Sequence, residues 1–158
     1  MLSQFKARVD TTLDVQSATM AGLVAGIVFV ATMKIDNRFS GNKLDDLVLL
    51  GRLVTGNPRT AALAGTPIHL FNSAVLGVVY AAFGRQWLPG PPAFRGALFS
   101  LIENAVLYPL LIFEGAHPAI KDGQIDRYWS LSSHLWTAPR HIAYGAVLGS
   151  LYERLQND

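Results

Sequence analysis

Residues 66–80 read TPIHLFNSAVLGVVY and residues 138–152 read APRHIAYGAVLGSLY, and the two stretches align without a gap at an offset of 72. Pro67, His69, Ala74, Val75, Leu76, Gly77 and Tyr80 return as Pro139, His141, Ala146, Val147, Leu148, Gly149 and Tyr152. Seven identities in fifteen columns point to one unit used twice. Each copy is apolar with small residues at helical spacing, so each is expected to form a helix that a neighbour can approach closely.

Around the first copy, no Asp, Glu, Lys or Arg occurs in the 25 residues between Arg59 and Arg85. About 20 apolar residues suffice to cross the hydrocarbon core of a bilayer. The whole chain of 158 residues agrees, with 51% apolar residues, 15% charged residues and a mean hydropathy of +0.29. Those values fit a membrane class better than a soluble domain.

Three further apolar runs, at 18–33, 94–113 and 131–151, lie to either side. The expected fold is therefore an all-α integral membrane protein, a single domain over residues 1–158 with four transmembrane helices. The two copies lie an even number of crossings apart, so the helices form two parallel two-span repeats, about 18–84 and 93–155. Gly22 and Gly96 open the first helix of each half. Short interfacial helices are expected between spans 1 and 2 and between spans 3 and 4. The first should start at an Asn42 cap and run about a dozen residues, to the stop signal TGNP at 55–58. The proline-rich turn LPGPP at 88–92 reverses the chain, and Trp129 and Trp136 mark a membrane–water boundary.

The chain starts with a polar stretch bearing Lys6, Arg8 and Asp10, and Lys34 and Asp36 follow the first apolar run where a cleaved signal would need small residues. That run reads as an uncleaved span. Four spans put five cations on the side of the termini and eight on the other, spread over longer segments, so charge sets no orientation.

With no Cys, disulfides, thiolate metal sites, iron–sulfur clusters and covalently attached c-type haem are excluded. A net charge of +2 without a basic run gives no reason for a nucleic-acid partner. No Ser/His/Asp order, phosphate-binding glycine loop or metalloprotease motif occurs, so no enzyme class is indicated. The partners implied are the lipid bilayer and either a second copy or a larger membrane complex.

Depth singles out three side chains. Glu103 lies 11 positions before Glu114, about 16 Å in from that end at the helical rise. Helices beginning near Thr60 and Leu131 put His69 and His141 about 14 to 15 Å from the same side. The three then meet at mid-membrane, with Asn72, Asn104, Tyr80 and Tyr152 as supporting polar groups. Intramembrane ionisable groups mark function by default, and one carboxylate with two imidazoles could ligate iron or zinc, relay protons, or hold haem or another pigment. The other reading is interhelical glue, in which protonated Glu103 bonds Asn104, a His or a Tyr. No spacing is diagnostic, and no cofactor is required by the sequence. Gly22, Gly26, Gly77, Gly145 and Gly149 read as helix-packing residues.

Should Pro67 and Pro139 each open a helix, the imidazoles move to helix ends and take His117, Glu114 and Arg140 as neighbours. An Arg140–Glu114 ion pair is expected in either case, and Asp36, Asp45, Asp46, Asp122 and Asp126 read as solvated loop charges.

The pattern LVLLGRLVTG before a His-bearing span ending LGVVYAAF, with HIAYGAVLGSLYERL near the C-terminus, resembles small four-span bacterial membrane proteins of families with unknown function. The resemblance implies the bacterial cytoplasmic membrane and carries over no catalytic residue. The leading expectation is a non-enzymatic structural or accessory subunit acting through helix packing; the rival is a ligand-handling protein that uses His69, His141 and Glu103.

Overall fold

The computed structural model describes residues 13–157, and of residues 108–111 the backbone alone. Lys6, Arg8, Asp10 and the terminal Asp158 lie outside the described residues. The described chain is all-helical.

Helix α1, Val15–Ser40, starts where the Asp14 carboxylate accepts Ser17 N–H at 3.0 Å and the Ser17 hydroxyl at 2.6 Å. It stops at Gly41, whose left-handed φ of 73° lets its N–H close on the Asn37 carbonyl. Helix α2, Asp46–Gly51, has six residues and is capped by Asp45, which accepts Leu47 and Val48 N–H. The cap is thus not Asn42, whose side chain instead accepts Leu44 N–H within the preceding turn. Half the expected length is helical.

Helix α3, Ala61–Val79, runs on through a π-helical turn at Tyr80–Gly84 and ends at Trp87. Helix α4, Pro92–Leu107, tightens into a 3₁₀ segment over Tyr108–Ala116. The short α5, Pro118–Lys121, is capped by His117, and α6, Leu131–Leu155, by Ser130. Pro67 and Pro139 lie inside continuous helices, so the histidines are not at helix ends. Backbone groups freed by a proline are tolerated in apolar helices that have close neighbours.

α1 packs against α3 and α6, α4 packs against α6, and α2 lies on α3. Glycines set these distances. A Cβ added at Gly22 would sit 2.3 Å from the Ser73 carbonyl oxygen, and one at Gly77 2.3 Å from that of Ala18. The other pair repeats the pattern, with 1.8 Å from Gly96 to the Gly145 oxygen and 2.1 Å from Gly149 to that of Pro92.

Charges gather at the two ends of the bundle. At one end Glu153 accepts from Arg85 at 2.9 Å and Arg95 at 3.0 Å, and Gln156 reaches Asp14 at 3.2 Å. At the other end Arg52 pairs with Asp122, Lys43 N–H bonds Asp126 at 2.8 Å, and Gln124 donates to the Pro58 carbonyl at 2.8 Å. Asp122 and Asp126 are exposed loop charges, as expected, that also pair across the loops, whereas Asp36 lies within α1 and Asp45 and Asp46 lie at the start of α2. Arg140 does not meet Glu114. Fully buried, it donates to Asp36 at 2.6 Å and to the Leu44 carbonyl at 2.9 Å, while Glu114 accepts Tyr128 and Trp129 N–H. Two strong acceptors at the end of α1 lie closer to α6 than the end of α4 does.

Small residues line many of the helix contacts, and many large apolar side chains lie outside. Buried helix faces carry Ala18, Gly22, Gly65, Ser73, Gly96 and Ser100, while Leu63 is 77%, Phe71 72% and Phe83 62% exposed. Two helices, Val15–Ser40 and Ala61–Trp87, are long and apolar enough to cross a membrane. The four expected reduce to two on that measure because α4 has only 16 regular residues and α6 carries Arg140, Glu153 and Arg154.

Candidate functional site

A cavity of about 190 Å³ lies among the four long helices. α3 contributes His69, Asn72 and Ser73; α4 contributes Ser100, Glu103 and Asn104; α6 contributes Thr137, His141 and Tyr144. Phe29 of α1 forms one wall, and Asp46 of α2 with Tyr128 closes the end nearest the loops. Asn72 and Leu107 line the cavity yet are exposed on the outer surface, so the mouth opens between α3 and α4. Around that mouth stand the exposed apolar side chains Phe71, Val75, Ile102 and Val106.

Hydrogen bonding fixes both histidine tautomers. His141 Nδ1 lies 3.0 Å from the Thr137 carbonyl, and a carbonyl only accepts, so Nδ1 carries the proton. Nε2 then presents a lone pair, and it faces the Glu103 carboxyl oxygen at 3.8 Å. That gap is too long for a hydrogen bond. His69 Nε2 donates to the Gly26 carbonyl at 3.1 Å, across the close approach that Gly26 allows.

Glu103 forms no hydrogen bond among the described residues, and Asn104 reaches His134 Nδ1 at 3.5 Å instead. The glue reading required Glu103 to bond Asn104, a His or a Tyr; His141 at 3.8 Å is the nearest of these that it meets. One turn before Glu103, the hydroxyl of Ser100 is buried without a partner. Both residues lie on the α4 face that lines the cavity, the Ser100 hydroxyl buried without a partner and the Glu103 carboxyl 19% accessible without a hydrogen bond.

The two repeat histidines do not face each other. The Phe29 ring packs against both, its centroid 5.1 Å from each imidazole. The cavity volume of about 190 Å³ is below the size of sites that hold drug-sized ligands. Among the described residues no three His, Asp or Glu side chains are grouped to hold a metal ion.

Tyr80 and Tyr152 do not reach the cavity. They stack edge to face at 6.3 Å beside Arg85, at the opposite end of α3 and α6. Conversely, Phe29, Ser100, Tyr144, Asp46 and Tyr128 enter the site without having been expected there. Ser100 and Phe29 had a signal: each lies on the same helical face as a glycine, Gly96 or Gly22, that marks close packing. Tyr144 crosses to donate to the Ser73 carbonyl at 3.0 Å and had none. At the end of the cavity nearest the loops, Tyr128 donates to Asp46 at 2.7 Å, and its burial beside that carboxylate holds the phenol well above its usual range.

An all-helical chain with two helices able to cross a membrane, and with a mainly apolar cavity among its long helices into whose walls a few polar side chains are set, is the class defined so far. The chain belongs to the family of unknown function DUF6789, whose family model matches residues 12–158. No curated protein and no solved structure matches it.

Proposed function

We propose that this is a four-span integral membrane protein that binds a small lipid-soluble molecule in the cavity, beside the proton-exchanging pair Glu103 and His141, without catalysing its conversion. The observation that carries the reading is the pair itself. A carboxyl and a ring-nitrogen lone pair face each other across 3.8 Å in a cavity whose mouth lies on an apolar flank. Helix packing alone, the simpler structural role, accounts for the glycine contacts but leaves the cavity and its unsatisfied groups without a cause.

Four crossings are supported by the ends of the bundle. The loops before α3 and before α6 bond to each other, while α3, α4 and α6 exchange ion pairs at the opposite end. Small and polar residues inside with large apolar residues outside is the pattern of a helix bundle in lipid. The cytoplasmic membrane of a bacterium, implied by the resemblance, belongs to the same proposal. Two parallel halves are supported by the contact pattern, since Gly22–Ser73 and Gly77–Ala18 recur as Gly96–Gly145 and Gly149–Pro92.

The absence of cysteine makes topology directly testable. Single-cysteine variants Asn57→Cys and Lys121→Cys should react with an impermeant maleimide from one side of the membrane, and Gly90→Cys and Asn157→Cys from the other. Labelling of Lys121→Cys from the same side as Asn157→Cys would leave two spans, not four. For the cavity, a small solvatochromic probe should bind the protein in nanodiscs and lose binding on Asn72→Trp, which fills the mouth. An unchanged probe signal in that variant refutes the binding site.

A further inference from the structure

Resting on that reading of the cavity, we infer that its ligand is a primary ammonium carried on an apolar chain. The cavity walls hold the Glu103 and Asp46 carboxylates and two imidazoles, with no Lys or Arg among the lining residues. An anionic head group would meet Glu103 with no cation to offset it, so fatty-acid and phosphate heads are disfavoured. The two groups that face each other across the cavity, Glu103 and His141 Nε2, are both open as acceptors. The Glu103 carboxylate accepts only, and His141 Nε2 is an acceptor because Nδ1 is committed to the Thr137 carbonyl. The buried Ser100 hydroxyl, without a partner, adds an oxygen on the Glu103 face.

These acceptors converge with no donor between them. A hydroxyl has one hydrogen and can bridge only one of the two atoms that face each other at 3.8 Å. A primary ammonium has three, enough for Glu103, His141 and Ser100 together. Its charge also meets the aromatic wall of Phe29 favourably. The volume of about 190 Å³ takes the head and the first carbons, and the chain leaves between α3 and α4, past Phe71 and Ile102, into the hydrocarbon. The same head chemistry occurs on single-chain alkylamines and on phosphatidylethanolamine.

The test uses the full chain in phosphatidylcholine nanodiscs, with displacement of the cavity probe as readout. Dodecylamine should bind at least tenfold more tightly than dodecanol, which lacks the charge, and than dodecyltrimethylammonium, which lacks N–H donors. Glu103→Gln should remove most of that preference, and Asn72→Trp should remove all binding. Should dodecanol equal dodecylamine, with both lost in Asn72→Trp, the ammonium inference fails while the cavity stands. Should the wild type bind neither the probe nor the amine, both fail. Retained amine preference in Glu103→Gln also overturns the inference. Competition by nanodiscs containing phosphatidylethanolamine assigns the head to that lipid; no competition assigns it to single-chain amines.

Discussion

Replacing Arg140 by Met tests whether α6 is anchored to the far end of α1. Arg140 has no exposed surface, and its guanidinium donates to Asp36 at 2.6 Å, Leu44 O at 2.9 Å and Asn37 Oδ1 at 3.3 Å. Breaking a buried ion pair from one side costs about 3–5 kcal/mol because the remaining charge is left uncompensated. Asp36 keeps 12% of its side chain exposed, so water partly rehydrates it and the lower end of that range applies. The Leu44 carbonyl keeps the Asn37 side-chain amide as a donor at 3.0 Å and adds little, so the expected loss is about 3 kcal/mol. Asp36→Asn in the same background removes the stranded charge and should recover part of the loss. The Lys34–Asp45 pair, whose lysine is 51% exposed, is the control, and Lys34→Ala should cost under about 1 kcal/mol. Equilibrium unfolding in mixed micelles reads all four proteins. A loss below about 1 kcal/mol for Arg140→Met would show that the buried network contributes no more than a surface pair.

Glycine contacts predict a sharper contrast. Gly96→Ala forces a Cβ to within 1.8 Å of a backbone oxygen and should separate α4 from α6 at a cost of about 1–3 kcal/mol or more, whereas Gly56→Ala, with open space, should change thermal stability negligibly. Glu103→Met removes no hydrogen bond to a described residue and relieves a buried carboxyl, so unfolding should show equal or higher stability; a loss above about 1 kcal/mol restores the glue reading. His117 caps α5 by accepting Ala119 N–H on Nδ1, and burial, with Arg52 adding to it, lowers its pKa from 6.5. The neutral form is therefore the stabilising one: its contribution is full above 6.5 and is lost as pH falls through the lowered value. Amide exchange over residues 117–125, corrected for intrinsic rates, should accelerate on acidification, and His117→Asn should abolish that dependence.

The helices were legible because apolar runs and proline turns are local signals, and the charge-free run at 60–84 lies almost entirely inside α3 and its extension. Depth counting along helices also brought Glu103, His69 and His141 to one level, because rise per residue is a property of the backbone alone. What that arithmetic lacks is azimuth. It could not foresee that Phe29 packs against both imidazoles, since this depends on how α1 lies against α3 and α6. Charge partners failed for a related reason. Glu114 was chosen for Arg140 on chain proximity of helix ends, while Asp36 reaches it from 104 residues away.

The two halves of the proposed duplication keep the glycines of their contact lines and diverge in chemistry at the site. Gly22 and Gly96 set a register of 74 between α1 and α4, and Ala18 and Pro92, which touch Gly77 and Gly149, keep it. In that register Gly26 corresponds to Ser100 and Phe29 to Glu103. One half thus closes its histidine against a bare backbone carbonyl and an aromatic ring, a dry and satisfied arrangement. The other replaces the glycine by a hydroxyl and the ring by a carboxyl, and both replacements are left unsatisfied. A bundle selected for packing alone gains nothing from that exchange, since a buried carboxyl without a donor weakens it. On the proposed reading, one copy keeps the helices together and the other is turned toward a ligand.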